Sequence, residues 1–226
     1  MARAESPANG LSESEQPAEF DAEPEPRWPG FLALMAGACL YAALPARLSV
    51  GPAWLLAAVM AVLLVPILVS HRRRRYTLAR TLTFVATIAL TLALVGSLTL
   101  LIQGLPGHKD EPAVLLRAAA VLWVTNVLVF ALWYWKLDAG GPLGRDRARG
   151  PIQSSFLFPQ LAKQPPDTDW APEFIDYLFL AFNTSTAFSP TDTAVLDRWA
   201  KIGSMLQALI SLTVLAVLAA RAINVL

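Results

Sequence analysis

The side chains that invite a chemical reading gather near the end of the chain. Asn183-Thr184-Ser185-Thr186 is followed by Ser189, Thr191 and Asp192, and then by Gln207 and Ser211. Tyr177–Phe182 ahead of them is apolar and helix-forming, and Pro190 must break any regular helix. Backbone groups freed at such a break cannot face lipid; they are buried in protein or line water. Helix dipoles and bare carbonyls at breaks of this kind can hold ions or small solutes. Residues 183–192 are therefore the candidate constriction of a conduit. Ser204, Gln207 and Ser211 share one helix face at i, i+3 and i+7, where they either line a polar path or stitch helices together.

Other chemistries find little support. Asp167, Asp169, Glu173 and Asp176 are close in sequence, but no histidine or activated serine accompanies them, so they read as loop solvation and not as an enzyme's acid–base pair. His71 and His108 lie in different loops and Cys39 is the lone cysteine, so no metal site is expected. The glycines at 140, 141 and 144 neither follow a strand nor open a helix with nucleotide-binding spacing, so no cofactor is expected either. A net charge of +1 argues against a nucleic-acid partner.

The elements that must position these groups are apolar. Of the 226 residues 55% are hydrophobic and 15% charged, against roughly a quarter charged in a soluble domain. Seven of the seventeen acids fall within residues 1–25, a stretch rich in Ala, Ser and Pro that reads as a disordered tail and not as a secretory signal. Apolar segments follow: uncharged ones at about 31–46, at 52–70 with Pro66 expected to kink it, at 81–102 and at 202–220, and one at about 112–135 with Arg117 near its start. A bilayer needs about 20 apolar residues. The 14 uncharged residues Tyr177–Pro190 are too short to cross and read as re-entrant. Thr83, Thr87 and Thr91 share a face suited to helix packing, and Asn126, buried in mid-helix, needs an interhelical partner. Trp133-Tyr134-Trp135-Lys136 reads as an interfacial helix end. Residues 137–172 form a polar, basic loop, of which Ser154–Leu161 is expected to lie on the membrane surface.

Short cytoplasmic loops gather Lys and Arg. Placing Arg72–Arg75 inside also puts Arg80, Lys136, Arg145, Arg147, Arg149 and Lys163 inside, against Arg47, Lys109 and Arg117 outside. The tail is then cytoplasmic. If 173–190 dips and returns, Arg198 and Lys201 also stay inside; if it crosses, they lie outside. The charge rule and the segment's length favour the dip.

The span Tyr177–Arg198 and the apolar helix after it look like the pore-helix, filter and inner-helix layout of the potassium-channel superfamily, with Thr184-Ser185-Thr186 and Asp192 at the positions of its threonines and aspartate. The filter glycines are absent and Pro190 has no amide hydrogen, which argues against a potassium-selective filter. From about residue 81 onward the chain resembles a family of uncharacterised bacterial inner-membrane proteins. The likeness rests on Trp133-Tyr134-Trp135, Pro165–Asp169, Asp176–Phe182 and Thr186–Asp192, the last displaced by one position. That resemblance implies a fold and a bacterial inner-membrane location, with no assigned activity.

The expectation is an all-α integral membrane protein with five transmembrane helices and one short re-entrant, pore-helix-like segment. Residues 1–27 would be the tail, 28–136 a four-helix region, 137–172 the loop, and 173–226 the re-entrant segment with the last helix. Its partners would be the lipid bilayer and further copies of itself. Its task would be a channel-like conduit or, alternatively, a non-conducting scaffold or accessory protein binding partners or anionic lipid.

Overall fold

The computed structural model describes residues 25–72, 76–104, 112–147, 153–163, 170–190 and 192–223. The acidic tail before residue 25, Arg73–Arg75, His108, Arg149, Asp167, Asp169 and the candidate Thr191 lie outside the described residues.

The described chain is helical: α1 (Trp28–Ala42), α2 (Ala53–Arg72), α3 (Tyr76–Gln103), α4 (Pro112–Leu137), α5 (Pro142–Arg147), α6 (Pro159–Ala162), α7 (Phe174–Thr186) and α8 (Arg198–Ile223). Two short strands, β1 (Phe156–Leu157) and β2 (Ala194–Val195), pair antiparallel, with Phe156 opposite Val195 and Leu157 opposite Ala194. Thr77–Gln103, Ala113–Arg147 and Arg198–Ala220 are long and apolar enough to cross a membrane, while Trp28–Ala42 and Trp54–Ile67 are shorter apolar helices. Val62, Leu92 and Leu209 point outward at 71%, 67% and 58% exposure, a surface suited to lipid and costly in water. The helical, apolar segments fit a membrane protein.

Local chemistry sets the element ends. Pro29 in the first turn of α1 gives up an amide that would be unpaired there in any case. α2 runs through Pro66 as a single helix. In α7, Glu173 caps the N-terminus and Asp176 reaches back to the Glu173 amide (2.8 Å), a capping box that satisfies two otherwise orphaned donors. α7 ends at Thr186, ahead of Pro190, and Phe188 takes a left-handed φ of 54°. Gly141 also needs a positive φ (77°), and a Cβ there would come within 2.7 Å of the Lys136 carbonyl.

α4 is the central element and packs against α1, α3, α7 and α8. Its contact with α1 is close: a Cβ on Gly30 would lie 2.4 Å from the Trp135 ring. On α3, Thr83 donates to the carbonyls of Ala79 (3.0 Å) and Arg80 (2.8 Å), Thr87 to that of Thr83 (2.9 Å) and Thr91 to that of Thr87 (2.7 Å). The same face receives Trp133 Nε1 at Thr91 Oγ1 (3.0 Å), so the threonines serve helix packing, as their spacing suggests.

The structure adds tertiary contacts to the Trp133–Lys136 helix end, where Tyr134, Trp135 and Lys136 are at most 6% exposed and bonded to neighbouring elements. One sequence expectation changes: residues 137–147 and 153–163 are not simply a solvated or membrane-surface loop. Arg145 is 5% exposed and Phe156 fully buried, because α5 and β1 fold back over the end of α4.

Candidate functional site

The polar groups of α4, α7 and α8 meet at two levels. The upper level is a cap over the C-terminal end of α4. Asp138, fully buried just past that helix, accepts from the Ser155 amide (2.5 Å), Ser154 Oγ (2.6 Å) and Tyr177 Oη (2.6 Å). Arg145 donates Nη1 to the carbonyls of Trp135 (3.1 Å) and Asp138 (3.0 Å), the open carbonyl end of α4 where a cation is favoured. Its Nη2 pairs with Glu25 at 2.6 Å, both side chains nearly buried, and its guanidinium lies 5.1 Å from the Tyr177 ring centre. Trp135 Nε1 also donates to Glu25. Burial pushes the Glu25 carboxyl above its usual value, partly offset by Arg145 and the bond from Trp135. Arg27 pairs with Asp146 (2.9 Å), so two ion pairs fix the start of α1 against α5.

Phe156 is the apolar centre of the cap, with ring centres of Tyr134 at 5.1 Å, Trp199 at 5.7 Å, Tyr177 at 6.3 Å and Phe158 at 6.4 Å. Ser155 Oγ donates to Asp197 (2.5 Å), and the Leu196 amide to the Ser155 carbonyl (2.8 Å). The N-terminal turn of α7 and the residues leading into α8 therefore both attach to the cap.

The lower level is neutral. Gln207 on α8 is fully buried; Nε2 donates to the Ala181 carbonyl (2.6 Å) and Ser185 Oγ (2.8 Å), and Oε1 accepts from Tyr134 Oη (2.7 Å). Asn126 Nδ2 donates to the Gln207 carbonyl (3.1 Å) and Ser211 Oγ (2.9 Å), the interhelical partner its position in mid-helix demanded. Asn126 Oδ1 is buried with no partner among the described residues. Trp123 Nε1 reaches the Ser185 carbonyl at 3.5 Å. α7 and α8 thus run side by side away from the cap, both antiparallel to α4, and the chain after Thr186 has only residues 187–193 in which to come back to β2.

The nine sequence candidates divide. Ser185, Gln207 and Ser211 meet in the neutral network, and Thr184, 1% exposed, donates to the Leu180 carbonyl of its own helix (2.8 Å). Thr186 is exposed and donates to the Phe182 carbonyl (2.9 Å), and Asn183 contributes its carbonyl to Thr186 (3.2 Å) and Ala187 (2.8 Å). Ser189 and Asp192 are exposed, and Asp192 makes no ion pair with Arg198 among the described residues.

The cap residues Glu25, Asp138, Arg145, Ser154, Ser155 and Tyr177 were not legible as a site. The signals present were an aspartate directly after an aromatic helix end, the two glycines behind it, and an arginine inside a short Pro-initiated helix. At the cap Arg145 is paired with Glu25 and Arg27 with Asp146, while Asp138 is held by neutral donors; among the described residues no cluster of three or more His, Cys, Asp or Glu could hold a metal. No family model, curated protein or solved structure matches this chain.

Proposed function

We propose that the chain is a multi-pass membrane protein in which α1, α2, α3, α4 and α8 cross the bilayer and α7 dips in and returns. It belongs, in this reading, in a bacterial inner membrane beside the uncharacterised proteins it resembles, with the start of α1 and the cap cytoplasmic. The attachment of both α7 and α8 to the cap supports the dip, and the distribution of Lys and Arg supports the orientation. Its task is that of a non-conducting scaffold or accessory protein, which holds a rigid cytoplasmic end at the membrane surface.

The observation that carries this reading is the closure of the Gln207 network. The amide protons and carbonyl oxygen of its side chain are taken up by α7 and α4, so Gln207 is committed to packing, while Asn126 Oδ1 and Ser204 Oγ are buried without a partner among the described residues. Flux of small cations and anions through liposomes containing the purified protein tests it. The expected result is leakage equal to that of empty liposomes. Ion flux that disappears in Thr186→Ala and Asp192→Ala would overturn it.

One observation favours a second reading. Thr186, the last residue of α7, and Asp192, six residues beyond it, are exposed instead of joining the network. In a homo-oligomer these residues could line a shared axis, which would make residues 183–192 a channel-like conduit between protomers. Flux that requires those two side chains would select this reading.

A further inference from the structure

A groove with a cavity volume of about 70 Å³ opens between α1, α3 and the C-terminal end of α4. Its walls are apolar, among them Phe31, Leu34, Phe84, Trp135 and Leu143, and its cations include Lys136 and Arg80. Lys136 is 5% exposed and donates to the Thr83 carbonyl (2.7 Å) and to Thr87 Oγ1. Both acceptors are neutral, and among the described residues no carboxylate pairs with Lys136 or Arg80. The two cations flank the Phe84 ring, at 5.9 Å and 5.8 Å from its centre. An ammonium taken out of water is costly unless an anion joins it. The cap shows the contrast: there Arg145 has Glu25 and Arg27 has Asp146.

We propose that this groove binds the anionic headgroup of a glycerophospholipid, with the phosphate at Lys136 and Arg80 and the glycerol and upper acyl chain along the apolar wall. Charge complementarity supplies the anion, and a wall of Phe, Leu and Trp side chains demands an apolar continuation that free phosphate lacks. The proposal rests on the reading that α3 and α4 cross a bilayer, and it gives the scaffold a specific lipid.

The test is titration of the detergent-solubilised full chain with short-chain phosphatidylglycerol, short-chain phosphatidylcholine and inorganic phosphate, followed by native mass spectrometry. Phosphatidylglycerol is expected to bind at one site per chain, about tenfold more tightly than phosphatidylcholine, with no competition from equimolar phosphate. Arg80→Gln, at an exposed position, is expected to weaken it about fivefold, the usual worth of one basic residue at an anionic lipid surface, and Lys136→Met to weaken it further. Lys201→Met, on an exposed residue of α8, is expected to leave it unchanged. Equal affinity for the two lipids, displacement by equimolar phosphate, or unchanged binding in Arg80→Gln overturns the proposal. None of these outcomes bears on whether the helices cross a membrane, which cysteine labelling decides separately.

Discussion

Two sets of polar contacts join α4 to α7 and α8, and they differ in kind. The cap uses full charges: Asp138 between Ser154, Ser155 and Tyr177, and Arg145 between Glu25 and the end of α4. The lower level uses only amides and hydroxyls, from Asn126, Tyr134, Ser185, Gln207 and Ser211. Desolvating an ion costs far more than desolvating an amide, and the cost grows with distance from water. Charge is confined to the helix ends, where the tail and α5 can be recruited as counter-charges. Deeper in, neutral groups give direction to the packing without that penalty.

The comparison can be broken first at the cap. Arg145→Ala leaves Glu25 buried without its partner and the carbonyls of Trp135 and Asp138 open. A loss of about 3–5 kcal/mol is expected, as for other broken buried pairs, read as the largest fall in Tm of the detergent-solubilised protein. A fall no larger than that of a surface variant would mean that the cap is not coupled to the bundle.

Gln207→Leu probes the lower level. It keeps the side-chain size and removes the bonds to Ala181, Ser185 and Tyr134, so a loss of about 2 kcal/mol is expected. The ratio of the two losses, measured in one detergent, sharpens the distinction between charged and neutral levels; equal losses would erase it.

A pH series separates them further. The Glu25 carboxyl lies above its usual value in the folded chain, chiefly through burial. A raised acid contributes stability that is fully present below its unfolded value and is lost as pH rises through the raised one. The Glu25 contribution to Tm is therefore expected to grow as the pH is lowered from 7 toward 5, and Glu25→Gln to remove that part of the slope. Gln207→Leu should leave the slope intact, because no titrating group touches Gln207 in this range.

The smallest effects belong to the exposed residues. Thr186→Ala and Asp192→Ala are expected to change stability by no more than about 0.5 kcal/mol, which leaves flux as their only informative readout.

These levels were unequally visible in the sequence. The lower one could be read in part: Asn126 stood alone in an apolar helix, and Gln207 and Ser211 fell on one face, so their stitching was foreseeable, whereas Ser204 on that face is buried without a partner among the described residues and Tyr134 as a partner was not foreseeable. The start of α7 was also legible, because Pro172 and Glu173 precede an apolar run whose third residue is Asp176. The cap was opaque for a physical reason. Arg145 and Glu25 are 120 positions apart, and each sits in a stretch whose composition reads as solvated. Local pattern reports whether a segment can bury itself, and it carries no information about which distant charge will make burial affordable. Phe156 illustrates this: in a polar loop it reads as surface, but four aromatic rings from α4, α7, α8 and its own loop enclose it.

The central claim is that α7 and α8 start from one side of the membrane, with the chain between them returning to it. Single cysteines at Arg147, Leu196 and Gln103, each exposed, in a Cys39→Ala background, test it by labelling of intact cells with a membrane-impermeant thiol reagent before and after permeabilisation. Leu196→Cys is expected to react only after permeabilisation, like Arg147→Cys, while Gln103→Cys reacts in intact cells. Leu196→Cys reacting in intact cells together with Gln103→Cys would place α7 across the bilayer and contradict the account.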